Sequence, residues 1–134
     1  MATGPFIFIA TNRLKPGKLE AERMRVPGLC EFIEANEPRI LAFNEYANEE
    51  GTEVAVVQVH PDAESFRSHM DVVRERAMLA YAETLDATTV VQVFGSPTAA
   101  ILEMLRSQAG SGVTITFKPL HLGGFTRLSE ATRR

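Results

Sequence analysis

One cysteine, no tryptophan and no apolar run longer than a strand mark this 134-residue chain before any pattern in it is read. Cys30 has no partner, so an intramolecular disulfide and a thiolate metal cluster are both excluded. It falls on a helical apolar stripe, which reads as a buried, inert thiol. The net charge is -3, and no block of five like charges occurs. A phosphate-backbone partner is therefore not expected, and Arg127, Arg133 and Arg134 read as a frayed basic tail. Residues 6–10, FIFIA, are too short for a signal core or a membrane span. No membrane association and, by default, a cytoplasmic location are the expectations. Also missing are a Walker-type phosphate loop, G-x-G-x-x-G, G-x-S-x-G, H-E-x-x-H and an EF-hand loop. No motif stands behind a metal, nucleotide or other cofactor, and none is expected.

Hydrophobic residues at 45% and charged residues at 23% suit one globular domain with a real core. Phe6 to Thr11 is aromatic and β-branched and reads as a first strand. After the turn residues Lys15-Pro16-Gly17-Lys18, Val26, Leu29, Cys30 and Ile33 follow a helical template. Pro27-Gly28 within it predicts a kink or two short helices, and Asn36-Glu37-Pro38 ends the helix. Arg39 to Ala47 and Glu53 to His60 alternate as a hairpin around Asn48-Glu49-Glu50-Gly51. Asp62 is the expected N-cap of a helix reaching about Glu83, its apolar face made by Phe66, Met70, Val73 and Ala77. Thr88 to Phe94 is a fourth strand.

Strand, helix, strand, strand, helix, strand is the split βαβ, ferredoxin-like order of an α+β fold: an antiparallel sheet with both helices on one face. An added unit follows. Ser96 reads as its helix cap before Pro97, Ile101, Met104 and Leu105 as its buried face, and Val113 to Phe117 as a fifth strand. Residues 119–127 read as a loop or a bent edge strand. The chain is thus expected to form one domain over residues 6–127, a 6–95 core plus a 96–127 extension.

Strands one and three are apolar on both faces, with Phe6 and Phe8 opposing Ile7 and Ile9, and Val54 and Val56 opposing Val57 and Val59. A two-sided apolar antiparallel sheet calls for a cover. A homodimer through the sheet face is expected; the competing explanation is that the added helix and strand cover that face.

Few residues stand out for chemistry. His69 lies at the edge of the second helix's apolar stripe, as a base reaching a pocket or as a packed ring. His60 reads as a solvated cap at a strand end, and His121 lies in a tail of undetermined course. The three fit no metal template. Asn12, at a strand end, either bonds backbone or contacts a ligand. Asn44 and Tyr46 share a strand face that points either into a cavity or to a dimer interface. Tyr81 and Phe94 read as core, and Lys15, Lys18, Glu20, Glu22 and Arg23 as a solvated helix face.

The stretch FIFIATNRLKPGK (residues 6–18) resembles the opening strand and turn of antibiotic biosynthesis monooxygenase-like proteins. The stretch DAESFRSH (residues 62–69) resembles that family's entry into its second helix, where an aromatic precedes a histidine by three. With the element order, the likeness spans about residues 6–95. It implies a dimeric α/β barrel with two sheets back to back and a pocket between each sheet and its helices. Some members oxygenate phenols or quinols without metal or flavin, a base deprotonating the substrate so that its anion reduces oxygen directly. On that resemblance His69 is the candidate base, Asn12 the orienting amide, and Asn44, Tyr46 and Phe66 candidate contacts to a small aromatic ligand. The chain also departs from the pattern. Haem-degrading relatives carry a tryptophan where His69 stands and a ligating histidine where Leu79 stands, so haem degradation is disfavoured. A second histidine common in other members falls near Arg74 and is lost. The alternative is a non-enzymatic ligand-binding or structural dimer of the same fold.

Overall fold

Alternation along residues 53–60 decides which way the sheet faces. Val54, Val56, Gln58 and His60 are buried, and the residues between them are not. A strand turns successive side chains to opposite faces, so these four define the face that the helices cover. The computed structural model describes residues 4–76, 78–109 and 112–127. Its elements are β1 (Phe6–Leu14), α1 (Leu19–Asn36), β2 (Ala42–Ala47), β3 (Glu53–His60), α2 (Ala63–Arg76), α3 (Met78–Thr84), β4 (Leu85–Phe94), α4 (Ala99–Ala109) and β5 (Thr114–Lys118). The sheet order is β2-β3-β1-β4-β5. The first four strands pair antiparallel, as the split βαβ reading requires; β5 joins β4 in parallel and makes the sheet mixed.

The α2 helix is seated by aromatic packing. The Phe66 ring lies 4.5 Å from Phe8 and 5.3 Å from Phe6, centroid to centroid, and is fully enclosed. Asp62 caps the helix as expected, its Oδ1 accepting the Ser65 N–H at 2.9 Å. The α4 helix joins the same core through Ile101 and Leu105, beside Phe6, Phe8, Val91 and Val93. It therefore lies on the helix-covered face, next to α2. The competing explanation, that the added helix covers the opposite face, is overturned, and no described helix lies over Ile7, Ile9, Val57 and Val59.

Several boundaries differ from the sequence reading. β1 continues to Leu14 because Asn12 and Arg13 still pair with Val54 and Glu53. Its register with β4 shifts between Thr11 and Asn12, where Thr88 and Thr89 oppose one step of β1. The α1 helix runs unbroken through Pro27. Pro27 and Arg23, whose carbonyl loses its helical partner, are both exposed, so water can satisfy the lost bond. Thr98, not Ser96, caps α4, its hydroxyl accepting the Ile101 N–H at 3.2 Å. Residues 119–127 form no strand; Leu120, Leu122 and Phe125 are exposed. Ala77 and residues 128–134 lie outside the described residues.

The α1 surface departs most from expectation. Glu22, read as solvated, is 2% exposed. Arg25 grips it with two bonds, Nε to Oε1 at 2.8 Å and Nη2 to Oε2 at 2.6 Å, and the Thr84 hydroxyl donates to Oε1 at 2.6 Å. Burial alone would raise the Glu22 carboxyl, but the Arg25, Glu45 and Thr84 hydrogen bonds and the Arg25 charge outweigh it and hold it at about 2. Glu45 arrives from β2 on the same side. Burial first, and then the neighbouring Glu22 carboxylate, push it up to about 9. Its Oε1 is buried without a hydrogen-bond partner and lies 4.0 Å from Arg25 Nη2. Arg25 also stacks over the Tyr81 ring at 4.4 Å. The cluster ties α1 to α3 and β2.

Glu45 thus holds a proton in the folded protein at pH 7 that the unfolded chain has released. Its folded pKa lies above the unfolded value, so this residue lowers stability progressively from about pH 4.5 to about pH 9. Glu45→Gln keeps a donor toward Glu22 without that proton. We expect it to stabilise by about 1–2 kcal/mol at pH 8 and by nothing at pH 4. Urea denaturation at the two pH values measures the difference, and an equal effect at both would contradict the assignment.

Candidate functional site

Between the sheet and the helices lies a cavity of about 600 Å³. Its wall is largely apolar, with Phe8, Val56, Met70, Val73, Leu105 and Ile115 among the lining side chains. Into it come a few polar groups: Asn12 from β1, Gln58 from β3, His69 from α2, and Lys15, Tyr81, Asp86 and Thr88. An apolar cavity with a small number of placed polar groups is the usual form of a small-molecule site.

His69 is 1% exposed. Its Nδ1 lies 2.9 and 3.0 Å from the two carboxylate oxygens of Glu37, the residue that ends α1. An N–H facing a carboxylate fixes the tautomer: Nδ1 carries the proton and Nε2 keeps its lone pair. Among the described residues Nε2 has no hydrogen-bond partner, and His69 forms part of the cavity wall. Burial lowers the imidazole's pKa, and the Glu37 charge and hydrogen bond only partly oppose this. The pair is consequently a neutral imidazole donating to a carboxylate at pH 7, not an ion pair.

Behind His69 stands a second histidine. His60, read as a solvated cap, is wholly buried, because position 60 continues the helix-facing alternation of β3 under Phe66. The two imidazole rings are 5.9 Å apart. Burial, then the neighbouring His69, lowers His60 to about 3, so it is neutral. Its Nε2 meets Gln58 Oε1 at 3.0 Å, and its Nδ1 meets Ser65 Oγ at 2.7 Å. A carbonyl oxygen only accepts, so Nε2 carries the proton and Nδ1 accepts the Ser65 hydroxyl.

Asn12 lines the same cavity as His69. Its Oδ1 accepts the Thr88 hydroxyl at 2.6 Å, which leaves the amide N–H groups without a partner among the described residues. The two residues stand at different ends. His69 lies beside Phe43 and His60, on the row where Phe43, Gln58 and Phe8 pair; Asn12 is four residues further along β1. That separates the rows by about 13 Å.

The other expected contacts are placed elsewhere. Asn44 and Tyr46 pair with Val57 and Ala55 and so point to the opposite face of the sheet, where both are exposed. The in-facing residues of β2 are Phe43 and Glu45, one step away in a period of two. Phe66 packs beneath α2 and is absent from the cavity wall. Tyr81, read as core, does line the cavity. His121 is exposed, with its ring against Gly4. The sequence reading missed Glu37, Gln58 and Ser65. The one available signal was Gln58 itself, a polar residue at an in-facing position of a valine strand. Among the described residues no group of three or more His, Cys, Asp and Glu could hold a metal ion, and no helix is long and apolar enough to cross a membrane.

No protein-family profile and no curated protein matches the sequence. Solved structures do match the fold. MupZ from Pseudomonas fluorescens is 20% identical, with a TM-score of 0.68, over 92% of this chain and 89% of its own. A protein of Chloroflexus aurantiacus described as an antibiotic biosynthesis monooxygenase is 14% identical, with a TM-score of 0.54, over 72% of this chain and 95% of its own. Rv0793 from Mycobacterium tuberculosis is 18% identical, with a TM-score of 0.54, over 72% of this chain and 99% of its own. The fold is that of the antibiotic biosynthesis monooxygenase-like proteins. The MupZ match covers more than the β1–β4 core can supply, so that likeness extends into the α4–β5 unit.

The influence of Glu37 on His69 is testable by the titration of the ring. Glu37→Gln removes the charge that props up the imidazolium, so the His69 pKa should fall further below its ordinary value. Ring NMR chemical shifts followed against pH would report it. A rise, or no change, would show that Glu37 does not govern the ring.

Proposed function

We propose that the protein is a cofactor-independent monooxygenase acting on a phenol or quinol, with His69 as the base; Asn12 is an orienting amide only for a ligand long enough to reach both ends of the cavity. The fold it shares with monooxygenase-named proteins supports this reading, but one observation carries it: a buried imidazole in the wall of a largely apolar cavity, braced by Glu37 through Nδ1 and with Nε2 unpaired among the described residues. A base that works near neutral pH must be unprotonated at rest and able to hold a proton briefly. His69 meets the first condition through burial and the second through Glu37.

In this reading a phenol binds with its hydroxyl at His69, and Nε2 takes the proton. The electron-rich phenolate supplies electrons to dioxygen, and a ring carbon forms a bond to one oxygen atom. The imidazolium returns its proton to the distal oxygen of the resulting peroxide. Loss of the ring C–H proton with cleavage of the O–O bond then gives a quinone and water. The balance is phenol plus dioxygen to quinone plus water, and the substrate provides all the electrons. Asn12, a strand's length away, would hold a second oxygen of a ligand long enough to span the cavity.

The assembly reading is a homodimer through the exposed sheet face. Ile7, Ile9, Val57 and Val59 lie there without a covering helix, and α4, the intramolecular candidate, occupies the other side. Residues 6–127 would act as one domain within each protomer.

Oxygen uptake with a panel of hydroquinones and naphthols tests the chemistry. Parent protein should consume oxygen above background, and His69→Ala should lower the rate by about 100-fold or more. Equal background uptake in both would remove the oxygenase and leave a protein that binds a small apolar ligand in the same cavity. Light scattering should return twice the chain mass; a monomer mass would reject the sheet-face dimer.

A further inference from the structure

We propose that Gln58 is a catalytic residue of this site, donating its amide N–H to the substrate oxygen that His69 deprotonates. The inference rests on the oxygenase reading and adds to it the group that receives the negative charge. Removing a proton with a neutral base leaves an anion in an apolar cavity, where an unassisted charge is costly. Something must donate to it. His69, once protonated, is one donor, and the cavity wall around it is otherwise built from Phe8, Val56 and Met70.

Gln58 is 5% exposed and lines the cavity. Its carbonyl end is tied down by the His60 Nε2–H at 3.0 Å. Its amide nitrogen has no hydrogen-bond partner among the described residues, and the side chain forms part of the cavity wall. The His60 ring that holds Gln58 is 5.9 Å from the ring of His69, which puts donor and base at the same end of the cavity. Asp86 and Thr88 come from β4, and Lys15 follows β1, at the Asn12 end; Tyr81 comes from α3 with its ring under Arg25; and Glu37 is occupied by His69.

Orientation is what makes Gln58 a donor rather than an acceptor. A free glutamine could present either end. Here Gln58 Oε1 faces His60 Nε2, so that nitrogen carries the proton, and His60 Nδ1 is left to accept the Ser65 hydroxyl. Ser65 is itself fixed at the start of α2 by the Asp62 cap. His60 and Ser65 are therefore positioning residues, acting through Gln58. A donor aimed where charge develops, and set before the substrate arrives, is the arrangement that stabilises an oxyanion.

The test uses 7-hydroxycoumarin, a bicyclic phenol whose neutral and ionised forms absorb at different wavelengths. Its pKa bound to the full-length protein is read by absorbance against pH, and the affinity for its neutral form by fluorescence at low pH. With Gln58→Met the bound pKa should rise by about one unit, a tenfold loss of phenolate stabilisation, while affinity for the neutral form changes less than about threefold. Ser65→Ala should raise the bound pKa by a smaller amount, an effect a merely structural glutamine would not produce. If Gln58→Met does not fold with His60 left unpaired, Gln58→Leu with His60→Leu removes both ends of the bond and should show the same rise. A bound pKa equal to that of the parent, while His69→Ala still changes it, overturns this inference and leaves the base reading intact. Failure of the parent to bind or ionise the probe overturns both.

Discussion

Packing of Phe66 against Phe6, Phe8 and His60 sets where α2 lies on the sheet, and the site depends on that placement. The aromatic contact fixes the helix in height and rotation. Three residues later on nearly the same face, His69 is carried over the cavity and into reach of Glu37. One residue earlier, Ser65 comes down on His60. A shift of α2 by a single turn, about 5 Å, would break both contacts at once. The hydrophobic core and the polar constellation are in this sense one object, with Phe66 as its pivot.

Each buried polar group between sheet and helices needs a partner, and the chain itself supplies most of them. Three small networks do so by different means. Arg25 neutralises Glu22 by charge, leaving Glu45 to adapt by holding its proton. Glu37 serves His69 by a hydrogen bond without forming an ion pair. His60, with no carboxylate on either ring nitrogen, stays neutral between Ser65 and Gln58. Charge is concentrated around α1 and β2, and the cavity end near Gln58 is left with neutral donors and one neutral base. A phenol can be ionised there without competing against a resident anion beyond Glu37.

Much of the fold was readable from the chain because it rests on short-range pattern. Period two in residues 53–60 gave β3 to the residue, and the succession of elements gave the split βαβ class, though not the parallel placement of β5. Where two patterns competed, tertiary context decided. Position 60 looked like a strand terminus before a proline, yet the alternation ran through it and buried the ring. Glu22 looked like surface, since its partners Thr84 and Glu45 are distant in sequence and invisible to any local window. The Asn44 and Tyr46 face was left open by the sequence because a strand alone does not say which side is in; its register with β3 does. Asn12 and His69 could be named from resemblance to other proteins. Glu37, Gln58 and Ser65 could not, because each matters only through a contact across elements.

The placement of the α4–β5 unit has a consequence for how such a site can change. Leu105, Val113 and Ile115 form one flank of the cavity, and they come from a segment that follows the sheet's own four-strand circuit. His69, Gln58 and their supports come entirely from inside that circuit. The reactive groups and one flank of the wall are thus encoded in separate, consecutive parts of the chain. Substitutions in the flank can widen, narrow or re-contour the chamber while the proton-handling end keeps its geometry, which gives the molecule a modular route to new ligands at constant chemistry.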